Sequence, residues 1–134
     1  MANVSFGLLK PDCLKRNLVD EVFSMIELQG FKIIAQKQVR LKKEHVDLIW
    51  KPCIGQWFYN EMIEFSTSSD CIVFLAEGDD AINRLNDLVG HYDPEKACEG
   101  TIRRKYGISC MENIIHSSTD ETTYKEETTL FFQE

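Results

Sequence analysis

A chain of 134 residues, 43% hydrophobic and 28% charged, has the length of one domain and enough apolar content for one core, so residues 1–134 are expected to form a single domain. A formal net charge of −7 argues against the broad basic field that steers proteins onto nucleic acid, and no specific nucleic acid is expected. No apolar run approaches a membrane span, Met1-Ala2-Asn3 lacks a leader pattern, and five scattered cysteines without a Cys-x-x-Cys pair point to free thiols in a reducing, cytoplasmic setting.

"VSFGLLK" (4–10) predicts a buried strand, ended by Pro11-Asp12, a pair suited to the first turn of a helix. Leu18, Val19, Val22, Phe23 and Ile26 form a helical apolar stripe that Gly30 stops. "FKIIAQKQVRL" (31–41) predicts a second strand, with polar and apolar residues alternating toward its end. Lys43 to Trp50 and Trp57 to Phe65 predict two helical pieces separated by Pro52 and Gly55. "CIVFLAEG" (71–78) is the most strand-like run, and "DDAINRLNDLVG" (79–90) predicts a helix with a terminal glycine.

From His91 to Cys110 periodicity fails, leaving an ordered loop or one that holds short turns. "NIIH" (113–116) is the last core strand, and Asp120 to Lys125 suggests a short helix before Leu130-Phe131-Phe132. With the middle helices treated as an insertion, the order is βαββαβ: an α/β (α+β) sandwich of the ferredoxin-like, split βαβ type. Its four-stranded antiparallel sheet would be covered by helices. A loop of such length is uncommon unless it is functional, and this one leads directly to His116.

His116 closes an apolar run and is followed by Ser117, Ser118, Thr119 and Asp120. A neutral imidazole can attack phosphorus and split a phosphoryl transfer into two steps, provided a partner on its other nitrogen fixes the tautomer. Glu127 is a candidate partner, and Lys10, Arg103 and Arg104 are candidate cations for the transferred group, with Mg²⁺ accompanying a nucleotide. Read singly, each has a simpler meaning. A strand-end histidine is usually structural, Lys10 could snorkel, and Gly100-Thr101-Ile102-Arg103 could be an ordinary turn. His45 reads as a surface residue and His91 as part of a turn; neither has metal-ligand spacing. Trp50, Trp57, Phe58 and Tyr59 are either core or a platform for a base. Asn113, three residues before His116, would face the opposite side of a regular strand, so both line one pocket only if the backbone breaks between them.

In series, "LLKPD", "GTIRRKYG", "ENIIHSSTD" and "KEETTLFF" resemble a nucleoside diphosphate kinase, from Val4 to Phe132. The resemblance implies a ferredoxin-like sandwich that assembles as a homo-oligomer, tetramer or hexamer. It also implies ping-pong transfer of a γ-phosphate between nucleoside triphosphates and diphosphates with Mg²⁺, carried by the nucleotide phosphates rather than by protein ligands. By position, His116 would be the nucleophile, Glu127 the acid that orients it, and Ser118 the support for both. Lys10, Asn113 and Arg103 would hold phosphates and sugar hydroxyls. Phe58 would stack on the base, with Met62 opposite it in place of leucine. Trp50 stands where the family has a tyrosine, Asn86 where it has a phosphate-binding arginine, Tyr92 for a threonine and Ser117 for a glycine. Two rival readings are a catalytically weakened nucleotide-binding, regulatory module on the same fold, and a split-βαβ domain that senses a small metabolite.

Overall fold

The computed structural model describes residues 3–132. Four strands, β1 (Val4–Leu9), β2 (Lys32–Val39), β3 (Cys71–Glu77) and β4 (Ile115–Ser117), form one sheet in the order β2-β3-β1-β4. All three pairings are antiparallel. The expected split βαβ sandwich is therefore the observed fold.

Alternation along the two central strands explains why both are apolar but for Ser5 and Glu77. Leu9, Ile72, Phe74 and Ala76 face one layer, where they meet Val22, Ile26, Leu85, Val89 and Ile102. Phe6, Leu8, Cys71 and Val73 face the other, against Val46, Ile49, Met62 and Phe131. A sheet covered on both faces has no wet side, so β1 and β3 lack polar alternation. Gly7 follows from this packing: a Cβ there would lie 2.2 Å from Cζ of Phe74.

The helices are α1 (Pro11–Lys15), α2 (Val19–Leu28), α3 (Lys43–Ile49), α4 (Tyr59–Ser66), α5 (Ala81–Val89), α6 (Ile102–Tyr106) and α7 (Glu121–Phe131). A 3₁₀ turn, Lys51–Cys53, follows α3. Several details depart from the sequence reading. The segment after Pro11 is two helices, because Asn17 adopts a left-handed conformation (φ 56°) that short polar side chains tolerate. Strand β2 carries a register shift between Ile33 and Ala35. The loop from 91 to 110 contains α6, whose Thr101 cap accepts a hydrogen bond from the Arg104 amide at 3.2 Å. The last helix runs past Lys125 to Phe131, whose ring stacks on Phe6 with centroids 5.8 Å apart. Packing on the sheet thus extends a helix that Thr128 and Thr129 do not favour by propensity.

Candidate active site

Strand β4 is short and lies at the sheet edge beside β1, with His116 opposite Leu8. His116 therefore shares the face of Phe6 and Leu8, the face on which α7 packs. From that helix Glu127, 3% exposed, reaches the imidazole: Nε2 of His116 lies 3.0 Å from Oε2 of Glu127. The Ser118 hydroxyl donates to Oε1 of the same carboxylate at 2.5 Å. The start of α7 is held by Asp120, whose Oδ1 accepts the Thr123 amide at 2.8 Å while Thr123 Oγ1 accepts the Asp120 amide at 3.1 Å. The polar run after His116 thus has two jobs, supporting the carboxylate through Ser118 and capping the helix that carries it.

With Nε2 engaged by a carboxylate, the proton is assigned to Nε2 and the lone pair to Nδ1. The Trp50 ring packs edge-on against the imidazole at 5.3 Å. Lys10 Nζ lies 5.5 Å from the Trp50 ring centroid and donates to Asn113 Oδ1 at 2.9 Å and Met111 O at 3.0 Å. Lys10 is 6% exposed, and burial, assisted by the Arg103 charge, lowers its pKa to about 8.

Arg103 donates through Nη1 to Gly90 O at 3.0 Å and through Nη2 to Ile115 O at 2.5 Å, next to His116. Its Nε is buried without a partner. Burial pulls its pKa down to about 10, which leaves it charged at neutral pH.

The conflict between Asn113 and His116 is resolved at Ile114, which has φ 79°. That positive-φ residue, spanned by the hydrogen bond from the Ile115 amide to Asn113 O at 2.9 Å, makes a tight turn that breaks the strand alternation. Asn113 turns to Lys10, and its amide donates to Tyr92 O at 2.8 Å and Cys110 O at 2.9 Å. His116, Glu127, Ser118, Lys10, Asn113, Arg103 and Trp50 are therefore connected by direct contacts or through one neighbour.

Other expected residues lie apart from this cluster. Ser117, on the opposite face of β4 from His116, donates to Asn86 Oδ1 at 3.3 Å, so Asn86 is turned to that face. Arg84 does not replace it: its guanidinium donates to Gln29 O at 2.5 Å and Asp79 O at 2.8 Å and stacks on Phe31 at 4.6 Å. The Tyr92 side chain is exposed and stacks on His91 at 4.4 Å, leaving only its carbonyl for Asn113. Met62 is buried in the apolar cluster that half-buried Phe58 flanks. His45 accepts the Lys42 amide and packs against Phe131, and His91 accepts the Asp93 amide, so both are locally structural. Sequence reading gave Asp12 only a helix-start role. It is 3% exposed, and its Oδ2 accepts the Ile114 amide at 3.1 Å.

Among the described residues no group of three or more His, Cys, Asp or Glu is placed to hold a metal ion. A magnesium ion usually keeps several waters and is held through one or two carboxylates together with substrate phosphates, so the phosphates of a bound nucleotide would supply ligands for it here.

An imidazole backed by a buried carboxylate, with the buried Lys10 and the half-buried Arg103 nearby, defines a site suited to phosphoryl chemistry on a split βαβ sandwich. The family described as nucleoside diphosphate kinase matches residues 3–134. A nucleoside diphosphate kinase of Sulfurisphaera tokodaii is 36% identical over 97% of this chain and 88% of its own. One of Rhodovulum sulfidophilum is 38% identical over 96% and 91%. Among solved structures, the apo nucleoside diphosphate kinase of Encephalitozoon cuniculi superposes with a TM-score of 0.94 at 30% identity, covering 99% of this chain and 90% of that one. The halophilic enzyme of Halobacterium salinarum in complex with CDP gives 0.93 at 29% identity, covering 100% and 90%. The chain belongs to the nucleoside diphosphate kinase family.

Proposed function

We propose that the protein moves the γ-phosphate of a nucleoside triphosphate to a nucleoside diphosphate in two half-reactions through His116. The observation that carries the reading is the 3.0 Å contact between Nε2 and Glu127, which leaves Nδ1 as the nucleophilic nitrogen. In the first half-reaction Nδ1 attacks the γ-phosphorus. The bond to the β,γ-bridging oxygen breaks, and the diphosphate leaves with the electron pair. In the second, a terminal oxygen of the acceptor diphosphate attacks the phosphohistidine, and the N–P bond returns its pair to Nδ1. The Nε2 proton stays directed at Glu127, which stabilises positive charge on the ring while Ser118 fixes the carboxylate.

Lys10 and Arg103 are the cations that would neutralise the transferred group, with Asn113 holding the Lys10 ammonium in place. The magnesium ion carried by the nucleotide supplies further charge neutralisation. A base stacked on Phe58 with Met62 opposite it, and a sugar or phosphate contact from Trp50, complete the proposed nucleotide site; Tyr92 and Asn86 would join it only by turning from His91 and Ser117. The Halobacterium relative's complex with CDP supports a nucleotide as ligand. We also propose a homo-oligomer, tetramer or hexamer, working in the cytoplasm. All five cysteines are unpaired, and no described helix is long and apolar enough to cross a membrane.

Incubation with γ-labelled ATP and Mg²⁺ should leave acid-labile, alkali-stable label on the protein, located on Nδ1 by phosphorus NMR. His116→Ala should take none. An unlabelled wild type, or a fully labelled His116→Ala, would refute the reading.

A further inference from the structure

We infer that Asp12 is a positioning residue: its carboxylate holds Ile114 in the positive-φ turn, closed by the Ile115 amide donating to Asn113 O at 2.9 Å, that lets Asn113 and His116 serve one pocket. In an unbroken strand, residues 113, 115 and 117 share one face and His116 takes the other. Ser117 and Ile115 do lie on the α5 side, facing Asn86 and the core around Leu85. Asn113 escapes that face because Ile114 has φ 79°. A β-branched residue rarely adopts such a φ, since its side chain crowds the backbone there. Something must hold it.

The Ile114 peptide is gripped from both sides by the segment that ends β1. Its amide donates to Asp12 Oδ2 at 3.1 Å, and its carbonyl accepts the Lys10 amide at 2.8 Å. Ile114 is fully buried, so without Asp12 its amide would be left unpartnered away from water. Asp12 is itself 3% exposed, and its Oδ1 has no partner. Burial pushes its carboxyl up, and the Lys10 ammonium opposes that push. A buried charge with an unused oxygen is a costly way to begin a helix, because an exposed cap would do that at less cost. The same three-residue segment thus carries the Lys10 cation and sets the backbone that brings Asn113 to it.

The kinetic readout of this inference rests on the phosphohistidine reading, whereas the structural readout does not. Four variants decide it: Asp12→Leu, Asp12→Asn, Ile114→Gly, and Asp12→Leu combined with Ile114→Gly. Single-turnover labelling of His116, per folded molecule, should slow about 100-fold in Asp12→Leu, the cost of a small displacement of reacting groups. Asp12→Asn keeps an oxygen for the Ile114 amide and should stay within about tenfold of wild type. Glycine accepts a positive φ without strain, so the Asp12→Leu loss should shrink to about tenfold or less in the Ile114→Gly background.

A merely structural aspartate would lower the thermal midpoint without this selective rescue. Asp12→Leu labelling at the wild-type rate, equal losses in both backgrounds, or Asp12→Asn as slow as Asp12→Leu would each overturn the inference. The fall in thermal midpoint caused by Asp12→Leu should likewise be smaller in the Ile114→Gly background, and equal falls would also overturn it. Should wild type take no label, the phosphohistidine reading fails while the midpoint cycle still judges Asp12. Should Ile114→Gly not fold, the comparison of Asp12→Asn with Asp12→Leu judges it alone.

Discussion

Lys10 offers the most quantitative handle on the site. Its ammonium is buried at the end of β1 with Arg103 nearby, and its pKa falls from 10.5 in the unfolded chain to about 8. Between those values the unfolded chain binds a proton that the folded protein does not, so stability rises with pH across that window. Below about pH 8 both states are charged and the full penalty of burying the ammonium is present. Above about pH 10.5 both are neutral and the penalty has gone. The difference is on the order of 3 kcal/mol.

The comparison to make is wild type against Lys10→Met, by urea unfolding between about pH 7 and about pH 10.5. Other groups also titrate there. Burial pushes the Cys13 and Cys71 thiols up to about 12, so the folded protein keeps protons that the unfolded chain releases above pH 9, and stability falls. That loss is common to both proteins and cancels in the difference. Wild type should gain on the variant through the window, and the gain should diminish when saturating nucleoside diphosphate restores charge stabilisation to the ammonium. A difference that stays flat from about pH 7 to about pH 10.5 would refute the reasoning, because the ammonium would then bear no cost of burial.

Ser118→Ala removes the 2.5 Å hydroxyl donor to Glu127 Oε1 and leaves a buried carboxylate oxygen unpaired. The expected loss is about 1–3 kcal/mol in urea unfolding, with His116 labelling slowed roughly tenfold as the imidazole loosens. Gly7→Ala places a methyl 2.2 Å from the Phe74 ring and should cost about 1–3 kcal/mol or more, seen as a lower thermal midpoint. Asn86→Arg combined with Ser117→Gly removes the pair that ties position 86 to the far face of β4 and supplies a longer cation. It should raise kcat/KM for nucleoside triphosphate by about tenfold in a coupled assay.

The fold was legible because β1 and β3 are short continuous apolar runs and α2 and α5 carry helical apolar stripes, which match the layers that bury them. The breaks in regular structure were harder to read. Asn17, the Ile33/Ala35 shift and Ile114 depend on which neighbours close around them, and single-strand patterning carries no such information. The five-residue helix α6 is too short for a periodic signal. In the site, His116, Lys10 and Arg103 were marked by motif order. Asp12 was hidden by a plausible second meaning, because an acid after proline suits the start of any helix.

The amino-acid order by itself determined the two apolar stripes of the sheet, the helices laid over them and the motif series of a nucleoside diphosphate kinase. Hydrophobic period and motif spacing are local properties, and they survive without knowledge of contacts. The tertiary structure alone decided that Asn86 and Tyr92 turn away from the imidazole while Trp50 closes on it. It also decided that Glu127 and Ser118 converge on one ring, and that Asn113 and His116 share a pocket through a strained Ile114. These outcomes rest on side chains about 10 to 100 positions apart competing for the same buried hydrogen bonds, and only the folded chain brings those competitors together.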